Sequence, residues 1–218
     1  MNNVKLVWAT IDADKHVGYC ARVSNPTNQD NPNIKGLLSY CANNHHWSVF
    51  EMASACLEIN TTRDIARQLL RHRSFSFQEL SQRYSDVSVL GDFVTRDCRT
   101  QDNKNRQNSF ESQDDNLNSW WSSAQAEVIT TTKLLYEEAL KKGVAKEQAR
   151  ALLPEGMTPS RVYVTGTLRS WITYCQVRTH ESTQSEHRDI ARGVLSVLSD
   201  VAPITMSAFS STMNAVLK

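Results

Sequence analysis

Trp120, Ala124, Val128, Leu135 and Ala139 recur at the spacing of one face of an α-helix, and no other pattern limits the fold as strongly. A long helix of this kind gains its stability by packing an apolar face against another layer. It should end near Gly143, and a second helix over about 145–153 should stop at Pro154. Strand-like runs supply the other layer: KLVWATI (5–11), EMASACLEIN (51–60) and SRVYVTGT (160–167). Thr61 or Thr62 would cap a helix over RDIARQLLRH, whose pairs Ile65/Leu69 and Ala66/Leu70 lie at i,i+4. Further helices are expected over about 34–42, through RSWITYCQVR, from a capping box of Thr183 and Glu186 to about Leu198, and from Pro203 onward. Residues 24–33 read as a loop, and 91–116 as a long polar surface loop, partly mobile. The fold class implied is α+β, with long helices packed on a mostly antiparallel sheet, and 1–218 form one domain.

The chain carries 24 basic and 23 acidic residues, a net charge of +1. A general nucleic-acid binder owes most of its affinity to phosphate neutralisation and shows a basic excess. Any anion site here must therefore be a local concentration of arginine, which points to a small phosphate ligand. Cys20, Cys41, Cys56, Cys98 and Cys175 are widely spaced without a CxxC pair, so neither a disulfide framework nor a zinc site is expected. No apolar run approaches the roughly 18 residues of a membrane span. The start, MNNVKLVWATIDADKH, lacks the apolar centre of a secretory signal, and a reducing cytoplasm is the expected location. No GxGxxG turn is present for a dinucleotide.

The chemistry concentrates in ARQLLRHRSFSFQELSQRY (66–84). On a continuing helix, Gln68, Arg71 and His72 at i, i+3 and i+4 share one face, and Arg73 points elsewhere. If the chain leaves the helix, Arg71 and Arg73 can reach different parts of one large anion, a task suited to the permanently charged, bidentate guanidinium. In an extended segment Glu79, Ser81 and Arg83 would line one side, offering an acceptor, a hydroxyl and a cation. Two plainer readings stand beside these. Arg71-His72-Arg73 could be a solvated helix end complementing the macrodipole, and Ser76 with Glu79 fits a capping box opening another helix.

Arg71-His72-Arg73, seven residues and then Ser81 resembles the RHR-x7-S signature of flavin-dependent thymidylate synthases. Ser76, Glu79 and Arg83 fall where that family places its Ser, Glu and second Arg. Ala21-Arg22-Val23-Ser24 is similar to its ARVS, His46 with Ser48-Val-Phe-Glu51 to its HxTPFEH, and Gln148-Ala-Arg150-Ala-Leu-Leu-Pro154 to its xARxxLP. Arg169-Ser170 and Gln176-Val-Arg178 follow its RS…LR pattern. The chain departs from the pattern at Gln78, Met52 and Ser182, the last standing where many members carry a histidine near the flavin.

The resemblance implies methylation of dUMP to dTMP, with methylene-tetrahydrofolate as one-carbon donor and FAD reduced by NADPH, in a homotetramer with active sites between subunits. By resemblance, Gln68, Arg71, Glu79, Leu80, Ser81, Gln82, Arg83 and Arg150 hold dUMP. Arg178 matches the arginine that activates the uracil ring, stabilising charge as it develops. FAD falls to Ser48, Arg71, His72, Arg73, Glu79, Thr167, Arg169 and Thr173, and Ser24, His46 and Glu51 line the flavin or folate region. His46 has a structural alternative, because His45-His46-Trp47 could be the turn that caps the preceding helix. No cysteine sits beside a histidine or inside the signature, so no thiolate nucleophile is expected, and Cys175 reads as a buried small hydrophobe. No metal is implied. The alternatives are a nucleotide phosphohydrolase and a nucleic-acid-binding module. The first would need a carboxylate cage, which the adjacent pairs Glu137-Glu138 and Asp114-Asp115 do not resemble. The second would join the signature arginines, Arg63 and Arg67 to Phe75, Phe77 and Tyr84 as a stacking surface.

Overall fold

The structure, a computed structural model, describes residues 3–216. Strand β1 (Asn3–Ala9) precedes helices α1 (Ala13–Ala21) and α2 (Lys35–Asn43). Strand β2 (Ser54–Thr62) runs directly into α3 (Arg63–Leu69), and β3 (Ser76–Glu79) follows a short turn. After β4 (Arg99–Gln101) and β5 (Ser109–Glu111) come the long α4 (Asp115–Lys141) and the short α5 (Lys146–Ala149). Strand β6 (Pro159–Thr167) then leads into α6 (Leu168–Arg178), α7 (Ser185–Val201) and α8 (Pro203–Val216).

A four-stranded sheet has the order β1-β2-β6-β3. Its pairings run antiparallel. The Thr10 amide donates to the Ser54 carbonyl, Arg161 Nε donates to Asn60 Oδ1, and Tyr163 OH donates to Glu58 Oε2. The Leu80 amide likewise donates to the Arg161 carbonyl. The expected α+β class, helices on an antiparallel sheet, is what the chain adopts. Within the described residues the contacts define two compact units, one of 60–69 and 79–162, the other of 3–59, 70–78 and 163–216.

In the second unit α8 packs on α2, α6 and α7, and α7 covers β1. The core contains Leu38, Phe50, Leu168, Trp171, Ile172, Ile190 and Leu198, all essentially buried. Phe209 of α8 stacks on Trp47 with ring centroids 5.1 Å apart and meets the edge of Phe50 at 5.0 Å. Asp14 on α1 caps α8, accepting from the amides of Ile204 and Thr205 and from the Thr205 hydroxyl. Gly166 at the end of β6 lets Phe75 approach, since an added Cβ would lie 2.3 Å from the Phe75 ring.

In the first unit Val87, Tyr136, Ala149 and Leu153 form a buried cluster, flanked by Phe93, Ala139 and Leu140. The apolar stripe that marks α4 in the sequence is only partly used there: Trp120 is 63% exposed, Val128 42% and Leu135 43%. The buried residues of α4 are instead Gln125, Thr132 and Tyr136. Gln125 is held because its side chain bonds both the amide and the carbonyl of Arg96. The stripe gives the period of the helix correctly but not the face this unit buries.

Other expectations need correction. The 91–116 segment is not one long loop: β4 and β5 form a hairpin, with Arg99 opposite Glu111 and Gln101 opposite Ser109. Asp102 organises its tip, accepting from the amides of Lys104 and Asn105 and from Asn108 Nδ2. Thr183 does not cap α7, because its hydroxyl donates to the Val177 carbonyl. Residues 47–51 form a 3₁₀ turn before β2 begins.

Candidate active site

Helix α3 ends at Leu69, which is buried, so Arg71 and His72 do not continue a face shared with Gln68. Arg71 and Arg73 follow that helix end and are exposed, and Ser76 opens a strand and not a helix. The chain turns through 70–75, closing with the Phe75 amide donating to the His72 carbonyl. Arg71 and Arg73 are exposed on this turn and have no hydrogen-bond or ion-pair partner among the described residues. His72, between them, points inward and is half-buried.

Arg178, the last residue of α6, donates from Nε to His72 Nε2 at 2.9 Å. That bond requires Nε2 to be unprotonated, placing the ring proton on Nδ1. The His72 ring meets Tyr174 edge-on at 5.1 Å and lies 6.4 Å from the ring of His187. Burial and the neighbouring Arg178 charge hold the His72 pKa down at about 4. His187, fully buried on α7, is held at about 3 by burial and then by Arg178 and His72. Burial pushes the Tyr174 phenol far up, and its hydroxyl has no hydrogen-bond partner among the described residues. Cys175 is wholly buried with its pKa raised by desolvation, and its thiol faces the Ala191 carbonyl at 3.9 Å. A group in that setting stays a thiol.

The same unit carries the other residues matched to the flavin except Glu79. Thr167 caps α6 by accepting from the Ser170 amide. Arg169 forms an ion pair with Glu51. Ser24, Ser48 and Thr173 are exposed, and no hydrogen bond joins them to these groups among the described residues. His46 takes its structural role: His45 adopts a left-handed φ of 57°, and the amides of His45 and His46 bond to the carbonyls of Ala42 and Cys41. That is the Schellman arrangement closing α2. The His46 ring then packs on Tyr40 at 5.6 Å. Ser182 bonds through its hydroxyl and its amide to His180 Nδ1.

In the other unit, Glu79 Oε1 accepts from Arg63 Nη1 at 3.1 Å and from the buried Ser160 hydroxyl at 2.7 Å. The extended course ends there. The amides of Tyr84 and Ser85 turn back to the Ser81 carbonyl, so Glu79, Ser81 and Arg83 do not line one strand. Exposed Arg83 pairs with Glu147 at 3.3 Å. Arg63, Arg67, Gln82, Glu147, Arg150, Leu153, Glu155 and Thr158 surround a cavity of about 330 Å³. Gln82 is only 5% exposed, and its Nε2 donor has no partner among the described residues. Such a donor is costly unless something in the cavity accepts from it. Arg150 donates to the Glu147 carbonyl, and Gln68 and Leu80 are half-buried.

Within each unit, then, His72 and Arg178 are joined, as are Arg169 and Glu51, while Gln82 and Arg150 face one cavity. Arg63 and Arg67 were not expected in a small-ligand site. Their i,i+4 spacing on α3 was visible, but the partners Glu79 and Glu155 lie far away in sequence.

Comparisons with known proteins place the chain. Residues 5–204 match the model of a family described as thymidylate synthase complementing protein. The chain is 53% identical over 175 residues to a flavin-dependent thymidylate synthase of Synechocystis sp., covering 80% of this chain and 79% of that protein. It is 48% identical over 180 residues to a probable flavin-dependent thymidylate synthase of Paramecium bursaria Chlorella virus 1, covering 82% of each. Among solved structures it resembles a UMP/dUMP methylase, PolB, from Streptomyces cacaoi bound with 5-Br dUMP. The TM-score is 0.85 at 27% identity, with 97% of this chain and 95% of that one covered.

Proposed function

Since the chain belongs to the thymidylate synthase complementing protein family, we propose that it is a flavin-dependent thymidylate synthase methylating dUMP to dTMP. It is an enzyme of the methyltransferase kind, as the names of its relatives and of its structural neighbour indicate. The family match crosses both compact units, which supports reading 1–218 as one catalytic domain.

The observation that carries the proposal is the set of cations around His72. Arg71, Arg73 and Arg178 have no carboxylate partner among the described residues, so their charge is available to an anionic ligand. The chemistry of that donor set fits FAD, whose pyrophosphate and ring carbonyls need such donors. Bound flavin, reduced by NADPH, would supply the reducing equivalents, and methylene-tetrahydrofolate the one-carbon unit. The residues matched to FAD are Ser48, Arg71, His72, Arg73, Glu79, Thr167, Arg169 and Thr173; His72 turns onto Arg178, so direct contact with FAD is proposed for the other seven.

For dUMP the proposal keeps Gln68, Arg71, Glu79, Leu80, Ser81, Gln82, Arg83, Arg150 and Arg178. The unpartnered Gln82 donor and the cavity it shares with Arg150 support part of that set. Arg178 would stabilise negative charge on the pyrimidine as it develops. Ser81 serves binding and not attack, and no cysteine acts as nucleophile; the buried Cys175 thiol supports this. A homotetramer in the cytoplasm completes the reading. Among the described residues no helix is long and apolar enough to cross a membrane. The phosphohydrolase alternative would need a carboxylate cage, and among the described residues no group of three or more His, Cys, Asp or Glu side chains is arranged to hold a metal.

The test is the visible absorption spectrum of protein reconstituted with FAD and titrated with dUMP, followed by an assay of dTMP. A bound-flavin spectrum that shifts saturably with dUMP, and dTMP formed with NADPH and methylene-tetrahydrofolate, would establish the activity. A flavin indifferent to dUMP would overturn the reading.

A further inference from the structure

A guanidinium carries five N–H donors in a rigid plane, so committing one edge fixes the direction of the other. Arg178 spends Nε on His72 Nε2 at 2.9 Å. Nη1 and Nη2 have no partner among the described residues. Among the described residues the imidazole is the one group hydrogen-bonded to the guanidinium of Arg178, at the last position of α6.

That bond holds only while His72 is neutral, and its surroundings keep it so. The titratable and charged groups facing the ring are Arg178 and Tyr174 from α6 and His187 from α7, with Phe75 against its edge. Among the described residues this set contains a fixed cation and no carboxylate, so a proton on the ring would be repelled. The depressed His72 pKa, about 4, agrees with this geometry.

We infer that His72 is the positioning residue of Arg178: a neutral imidazole that accepts from Nε and aims the Nη1–Nη2 edge at its ligand. That edge suits the carbonyl oxygens of a pyrimidine ring on which negative charge develops. The identity of the ligand rests on the proposed thymidylate synthase activity; the pairing itself does not. The role differs from a flavin contact, because it acts through Arg178 and leaves cofactor affinity unchanged.

Two measurements test it. The first is NMR of protein labelled with ¹⁵N-arginine. The Arg178 Nε–H resonance, assigned by its absence in Arg178→Lys, should be protected from solvent exchange in the wild type and exposed in His72→Leu. An unprotected wild-type resonance overturns the pairing, whether or not the protein binds flavin. The second is turnover of the FAD-loaded protein. His72→Leu should lower kcat by about 10- to 100-fold, while His72→Gln, which keeps an acceptor near the Nε2 position, should stay within about threefold of wild type. In both variants the FAD dissociation constant should stay at the wild-type value, and His72→Leu should add no further loss in an Arg178→Lys background. Weakened FAD binding would make His72 a cofactor ligand instead, and an inactive His72→Gln that still binds FAD would refute the acceptor role. A wild type that forms no dTMP would overturn the proposed activity, leaving the exchange measurement to judge the pairing.

Discussion

Acid should destabilise this protein well before its carboxylates titrate, and His187 should be the main cause. Its ring is fully buried and held at about 3, whereas an unfolded chain presents a histidine near 6.5. Below that value the unfolded chain takes up a proton that the native state refuses, so stability is complete above pH 6.5 and falls as pH drops towards 3. Integrating the linkage from pH 7.5 to pH 5 gives a loss of about 2 kcal/mol for a histidine that stays neutral throughout. For a chain of this length that is a fall of roughly 4–8 °C in Tm. His72, held at about 4, acts in the same direction, but solvent reaches half of it and its share is smaller. The lowered carboxylates, exposed Asp92 and partly exposed Asp102, lose their stabilising charge only at lower pH. Thermal unfolding of wild type and His187→Leu at pH 7.5, 6 and 5 is the assay. The variant should lose distinctly less Tm across that range than wild type. A folded variant whose Tm falls as steeply would show that His187 is not neutral in the native state.

Arg178→Ala should keep the fold and the bound flavin, seen by circular dichroism and flavin absorbance, while dTMP formation falls by about 100-fold or more; normal turnover would remove Arg178 from the chemistry. Cys175→Ala should keep turnover within a few-fold, because the thiol is buried and protonated; a folded, inactive variant would reopen thiolate catalysis. Gly166→Ala drives a methyl group to 2.3 Å from the Phe75 ring. It should cost about 1–3 kcal/mol in denaturant unfolding, and an unchanged midpoint would mean that the ring moves aside freely.

The sequence was most legible where one short stretch decides its own geometry. The run SRVYVTGT followed by RSWITYCQVR became β6 and α6 almost as expected, because β-branched residues alternate and Thr167 then supplies a cap. The same local logic failed where polar side chains had distant partners. Thr183 looked like a helix cap and instead serves the Val177 carbonyl. The hairpin at 99–111 was invisible because its strands are three residues each and polar, so no alternation of apolar residues marks them. The end of α3 was misplaced because RHR has good helix propensity, whereas the chain there leaves the helix to enter β3.

The candidate site turns on a distinction that a residue count cannot make. Near-neutral net charge excluded a broad basic surface, but it could not say which arginines are already neutralised. The fold pairs Arg63 with Glu79, Arg67 with Glu155, Arg83 with Glu147, Arg96 with Asp64 and Arg169 with Glu51. Most of these partners lie tens of residues away in the chain, so no spacing rule reveals them. Among the described residues Arg71 and Arg73 are left without such a partner, and Arg178 is given an imidazole in place of a carboxylate. That substitution matters chemically. A carboxylate would hold Arg178 equally well but would cancel its charge, whereas a neutral ring fixes the direction of the guanidinium and leaves the charge for the ligand. The motif is therefore more than a row of adjacent phosphate donors: its central, neutral histidine orients a third cation without neutralising it.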